Sequence, residues 1–181
     1  MLTIVEAFYH KPALVGIVIL FGSLLISGLI IFLNQRSEML GNVLTVALST
    51  AALTIIFVLT MSVVSSHVVG VRMDPIWNPF PAFIAMFGGN QANRDQLMLQ
   101  AANVLMTVPI SSIIRTKFSS LTTFGILIAL IVGIECAQYF IADGRTFEIA
   151  DIITNSLGVY IGIVLTQLSR HVMVSLNLLS K

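Results

Sequence analysis

Charge is what this 181-residue chain has least of. Only 9% of its residues are Asp, Glu, Lys or Arg, against 57% hydrophobic ones, and the mean hydropathy is +1.00. A soluble domain of this length needs far more charge to stay in solution. The net charge of +1 removes the electrostatic basis for nucleic-acid binding, and no contiguous basic block targets the chain to anionic lipid. A single cysteine, Cys136, excludes an internal disulfide framework; in its apolar surroundings it reads as a small hydrophobe. His10, His67 and His171 are too far apart to share a metal. No phosphate-cradling glycine loop, His-Glu-x-x-His pair or nucleophile elbow occurs, and no cofactor is expected.

What remains is a set of long apolar runs. The bilayer's hydrocarbon core is about 30 Å thick, so a spanning helix takes about 20 mainly apolar residues. Its backbone groups find partners there only in a helix or a closed barrel. The runs do not alternate with period two, which argues against a barrel. The expected architecture is therefore an all-α polytopic membrane bundle, one domain over 1–181, with five spans at 13–33, 43–65, 97–114, 121–141 and 149–168. The first run is longer than a signal-peptide core and no small-residue cleavage site follows it, so a retained anchor is expected. With five spans the termini fall on opposite sides. The N-terminal side carries Lys11, Arg72, Arg94 and Arg145, and the other carries Arg36, Arg115, Lys117, Arg170 and Lys181. The positive-inside rule then makes the second side cytoplasmic, by one charge.

The stretch between the second and third spans is too short to cross. It contains Trp77 and, at i, i+3 and i+7, Phe80, Phe83 and Phe87, ahead of the Gly88-Gly89 break. Aromatics favour the membrane–water boundary, so a short helix in that plane is expected, with an apolar loop cap as the alternative.

Polar residues inside the spans are the informative exceptions, because an ionisable group there costs about 2.5–3.5 kcal/mol on insertion scales. Gln96, Gln100, Asn103 and Thr107 fall on one stripe of the third span, and Asp151, Asn155, Gly158 and Gly162 on one stripe of the fifth. Glu135 and Gln138 are i, i+3 neighbours in the fourth. At about 1.5 Å per residue, Asn103, Glu135 and Asn155 all lie roughly 9 Å inside the same membrane face. Arg145, in the turn above, offers a cation to the carboxylates. Packing glue is the favoured role for Gln96, Gln100 and Thr107, and close helix approach for Gly158 and Gly162. Glu135, Arg145, Asp151 and Asn155 together favour a function, since glue alone rarely needs two carboxylates and a guanidinium. Glu135, Asp151 and Asn155 also offer oxygens of the kind Mg²⁺ takes, yet no metal site is expected from them.

The stretch from Glu135 to Gly158 resembles the signature of the VanZ-like membrane family: E-x-x-Q, a short turn, R-x-x-D/E-x-x-D, then N-x-x-G. Glu135, Gln138, Arg145, Glu148, Asp151, Asn155 and Gly158 all match it. Upstream, Asn103 and Pro109 match an N-x-x-x-F-x-P segment in which Thr107 replaces Phe. Asn78 and Pro81 match an N-x-x-P-F loop in which Ala82 replaces Phe, and Ser111 stands where the family has Gly. The resemblance covers about 72–165 and implies a multi-pass protein of the bacterial cell envelope; the family's founding member is associated with resistance to the glycopeptide teicoplanin.

Together these readings give an expected site on the non-cytoplasmic side. Glu135 and Asp151 are its catalytic or proton-handling candidates. Asn78, Asn103, Gln138, Arg145, Glu148 and Asn155 are its ligand-binding candidates, and the expected partners are membrane lipid, a lipid-linked envelope precursor or a glycopeptide. Whether such a site only binds or also transforms its ligand is left open by the residues. The alternative is a non-enzymatic scaffold or partner subunit whose polar cluster is structural, and a homo-oligomer is compatible with either. A transporter is disfavoured, because no inverted repeat or broken helix pair is evident.

Overall fold

The structure, a computed structural model, describes residues 12–62, 74–87, 91–141 and 146–176. Six helices make up this part of the chain: α1 (Pro12–Arg36), α2 (Glu38–Ser62), α3 (Phe80–Met86), α4 (Gln91–Arg115), α5 (Ser120–Ile141) and α6 (Ile149–Ser175). All but α3 have 22 residues or more, enough at about 1.5 Å per residue to cross about 30 Å of hydrocarbon. Within the described residues α1, α4, α5 and α6 are each apolar enough to span. The remaining long helix, α2, coincides with the second expected span through Ser62.

Direction follows from the contacts. Pairs between α4 and α6 advance together along both helices: Gln100 meets Thr154, Ser112 meets Thr166, and Thr116 meets Arg170. The two helices therefore run parallel, and α5 returns between them. On α1, Ser27 bonds Ser169 at 2.9 Å and Asn34 accepts from Lys117, so α1 is parallel to both. A single residue, Ser37, links α1 to α2. The corner demands glycine at 41, where a Cβ would overlap the Asn34 side chain.

The α4–α6 pair is the most extensive contact in the fold, and small residues make it. A Cβ on Gly158 would overlap Val104 O and Thr107 Oγ1, and one on Gly162 would overlap Ser111 Oγ. Hydroxyls then stitch the closely approached backbones: Thr107 Oγ1 donates to Asn155 O (2.9 Å), Ser112 Oγ to Gly162 O (3.1 Å) and Thr166 Oγ1 to Ser112 O (2.9 Å). Ser27, Ser111, Ser112, Thr123 and Thr166 are fully buried beside Ile110, Val159 and Ile163, whereas Phe21, Leu25, Leu121 and Tyr160 point outward. Lipid is as apolar as leucine, so close packing and hydrogen bonds, rather than water exclusion, hold such helices together.

The short helix α3 forms where expected, with one difference in its outward face. Phe80, Ile84 and Phe87 are 68%, 71% and 90% exposed, while Phe83 is half-buried. The exposed stripe is thus i, i+4, i+7, because Phe83 turns inward on a helix that packs against α4. The segment before α3 is tied to the start of α6. Ile76 N donates to Phe147 O (2.8 Å) and Ile149 N to Ile76 O (3.2 Å). Thr146 Oγ1 donates to Asp74 O (2.7 Å), and the Trp77 and Phe147 rings lie 5.4 Å apart. These ties fix α3 at the end of the bundle where α4 and α6 begin.

Replacing Gly162 with Leu is expected to force α4 from α6 at a cost of about 1–3 kcal/mol or more, read as a lower thermal midpoint of the purified protein in detergent. Gly133 has nothing within 4 Å of a built Cβ, so Gly133→Leu is expected to leave the midpoint unchanged.

Candidate functional site

Asp151 lies in the first turn of α6, where a negative charge is favoured by the helix dipole. It is buried, as are Gln100, Asn103, Thr154, Glu135 and Gln138. One carboxylate oxygen, Asp151 Oδ1, accepts from two amides of α4: Gln100 Nε2 at 2.9 Å and Asn103 Nδ2 at 2.9 Å. The other end of the Gln100 amide is used too, since its Oε1 accepts from Thr154 Oγ1 at 2.7 Å. Asn155 Nδ2 donates to Asp151 O at 2.8 Å. Leaving a buried carboxylate without donors costs several kcal/mol, and here the donors come from the parallel neighbour at matching height. The network therefore joins α4 and α6 at the membrane face from which both helices start.

Glu135 and Gln138 reach the same level from α5. They extend the buried stripe Thr123, Leu127, Ile131, whose apolar members pack with Val159 and Ile163 of α6. α5 runs toward this face and ends at Ile141, just before α6 begins at Ile149, so the Glu135 and Gln138 stripe lies level with the opening turns of α6. Glu135, Glu148 and Asp151 are each engaged in further polar interactions. Among the described residues, no three Asp, Glu, His or Cys side chains converge as a metal set.

The expected site residues therefore separate. Asn103, Asp151 and Asn155 are joined by hydrogen bonds, and Glu135 and Gln138 are buried at a matching level on α5. Glu148 is half-buried and pairs through its backbone bridge with Ile76. Asn78 is exposed; its Oδ1 accepts from Phe80 N at 3.1 Å and turns the chain into α3. Arg145 lies outside the described residues. Gln100, read from sequence as glue, stands at the centre of the network. Thr154 was not singled out at all, although its place three residues after Asp151, on the face that carries Gly158, was the available signal.

A buried carboxylate–amide network between parallel spans, under a short amphipathic helix at one membrane face, defines a polytopic helical membrane protein with a polar interfacial cluster. The VanZ/LLP1 family model matches residues 43–170, more than half of the chain, and the protein belongs to that family. The match reaches further upstream than the signature residues and takes in α2. No curated protein and no solved structure matches the chain.

Asp151→Ala removes the shared acceptor and leaves two buried amides unsatisfied, at about 1–3 kcal/mol for each. Its thermal midpoint in detergent is expected to fall well below that of Asp151→Asn, which keeps one acceptor oxygen. A Gln100→Ala/Thr154→Ala double-mutant cycle is expected to give a coupling of about 0.6–1.7 kcal/mol, the span measured for hydrogen bonds between membrane helices.

Proposed function

We propose that the cluster beneath α3 binds the polar headgroup of an envelope lipid, with Glu135 and Gln138 facing the ligand and Asp151, Asn103 and Gln100 forming the fixed wall behind it. The observation that carries this reading is the second buried carboxylate. Asp151, with its amides and Thr154, already provides the hydrogen bonds that lock α4 to α6. Glu135 and Gln138 add a second buried acid and an amide on a third helix at the same level. An acid costs about 2.5–3.5 kcal/mol at membrane depth, and residues of that kind mark functional interiors. The exposed aromatics of α3 suit the headgroup layer, which brings lipid headgroups to the mouth of the cluster.

In this reading Arg145 supplies the cation for a phosphate or an acidic glycan, Asn155 supports the backbone of the wall, and Glu148 and Asn78 hold the roof. Glu135 exchanges a proton with the bound group, and no bond-breaking step is assigned. The larger count of cations on the opposite face favours an outward-facing site. The resistance association of the family's founding member extends to this chain if the headgroup is one that a glycopeptide antibiotic also recognises. One observation favours a second reading, a structural scaffold: the Asp151 carboxylate is already held by two amides.

The two readings separate on lipids that copurify with the intact protein from a bacterial membrane. Wild type is expected to carry a headgroup-bearing lipid identifiable by mass spectrometry, and Glu135→Gln to lose it while keeping its thermal midpoint and cellular abundance. Equal lipid recovery from both, or a Glu135→Gln protein that is unstable but still loaded, would leave the scaffold as the function.

A further inference from the structure

The opposite end of the bundle gathers cations that are scattered in sequence. Arg36 closes α1, Arg115 closes α4, Lys117 lies in the turn that follows, and Arg170 sits in the later turns of α6. The acid of this end, Glu38, opens α2 two residues after Arg36. The hydrogen bonds of three of the cations go to neutral groups. Arg115 Nε donates to Ser120 Oγ (3.0 Å) and its Nη1 to Phe118 O (2.7 Å). Lys117 Nζ donates to Asn34 Oδ1 (2.5 Å), and Arg170 Nη2 to Thr116 O (2.9 Å). Arg36 stacks instead over the Phe32 ring, 5.5 Å from its centroid. Arg170 Nε is shielded from solvent and has no hydrogen-bond partner. Arg170 reaches the carbonyl of Thr116, the residue next to Arg115 in the chain. Beside them α1, α6 and the end of α4 leave a cavity of about 280 Å³, lined by Ile31, Asn34, Gln35, Thr116, Arg170 and Val174.

Helix C-termini favour cations, and a cytoplasmic face collects them. Neither effect supplies an acceptor for the shielded N–H of Arg170 beside the cavity. An anion there would supply one, and phosphate is the anion whose oxygens best fit a guanidinium fork. The same two helices also form an apolar groove of about 450 Å³, lined by Leu25, Gly28, Leu29, Phe32 and Met173 among others. That groove offers a surface to an acyl chain, which a lipid brings and free phosphate does not.

We propose that this cavity holds the phosphate of an anionic membrane lipid from the leaflet at that face, with Arg170 as its principal donor and Arg115 and Lys117 as the surrounding charge. The site lies at the other end of the bundle from the polar cluster and does not depend on the function proposed there.

The test is native mass spectrometry of the full-length protein, titrated in detergent with dioleoyl-phosphatidylglycerol against dioleoyl-phosphatidylcholine. Wild type is expected to retain one phosphatidylglycerol in preference to phosphatidylcholine. Arg170→Gln is expected to reduce that preference about fivefold, the worth of one cation near an anionic lipid surface. Val174→Phe, which fills the cavity and leaves every cation in place, is expected to reduce it as well, and it decides the matter if Arg170→Gln fails to fold. Arg36→Gln, outside the cavity, is expected to leave it unchanged. Equal retention of the two lipids overturns the proposal, as does an unaltered preference in Val174→Phe. A loss in Arg36→Gln as large as that in Arg170→Gln overturns it in favour of diffuse surface charge. Displacement of the lipid by millimolar inorganic phosphate at constant ionic strength overturns the lipid assignment in favour of a soluble phosphate.

Discussion

The parallel contact between α4 and α6 is the constraint on which the other parts of this protein depend. Gly158 and Gly162 let the backbone of α4 approach within the space a methyl group would occupy, and that closeness brings Thr107, Ser112 and Thr166 within reach of carbonyls on the facing helix. In hydrocarbon the hydrophobic effect does not discriminate between helix and lipid, so distance and hydrogen bonding decide which helices pair. Once this pair is set at a fixed register, Asp151 falls opposite Gln100 and Asn103 at one end, and Arg170 falls opposite Thr116 at the other. The two polar ends of the molecule are thus consequences of one seam.

The two ends treat charge differently. At the end beneath α3, the buried Asp151 carboxylate accepts from two amides of α4, so the cost of removing it from water is offset inside the protein. At the other end, Arg115, Lys117 and Arg170 donate to neutral groups. Buried acids thus lie toward one end of the bundle, and cations cluster toward the other.

Much of the fold was legible without coordinates. Apolar runs of about 20 residues have one stable form in lipid, so the long helices and their order followed from hydropathy. The stripe spacings of Asn103, Asp151 and Asn155 placed their side chains on helix faces that do meet. The small-residue step at Gly158 and Gly162 marked the closest contact correctly. The reading was weaker where an outcome depends on a neighbour. Phe83 shares the aromatic spacing of Phe80 and Phe87, yet it is half-buried where they are exposed. By spacing alone Gln100 is one polar residue among several and Thr154 is inconspicuous, because centrality in a hydrogen-bond network depends on which side chains arrive from another helix. Asn78 matched a family position, yet its amide is spent on the local turn into α3.

The sequence by itself determined the class of structure, the order of the long helices and, through its motif, the family, since each of these rests on hydropathy or on spacing along the chain. Only the tertiary structure decided which polar groups share hydrogen bonds and which cations stand together. Arg115 and Arg170 are 55 positions apart in the chain, and no basic block announces them. They are brought to one end because two parallel helices, locked at their glycines, set Arg170 level with the end of α4.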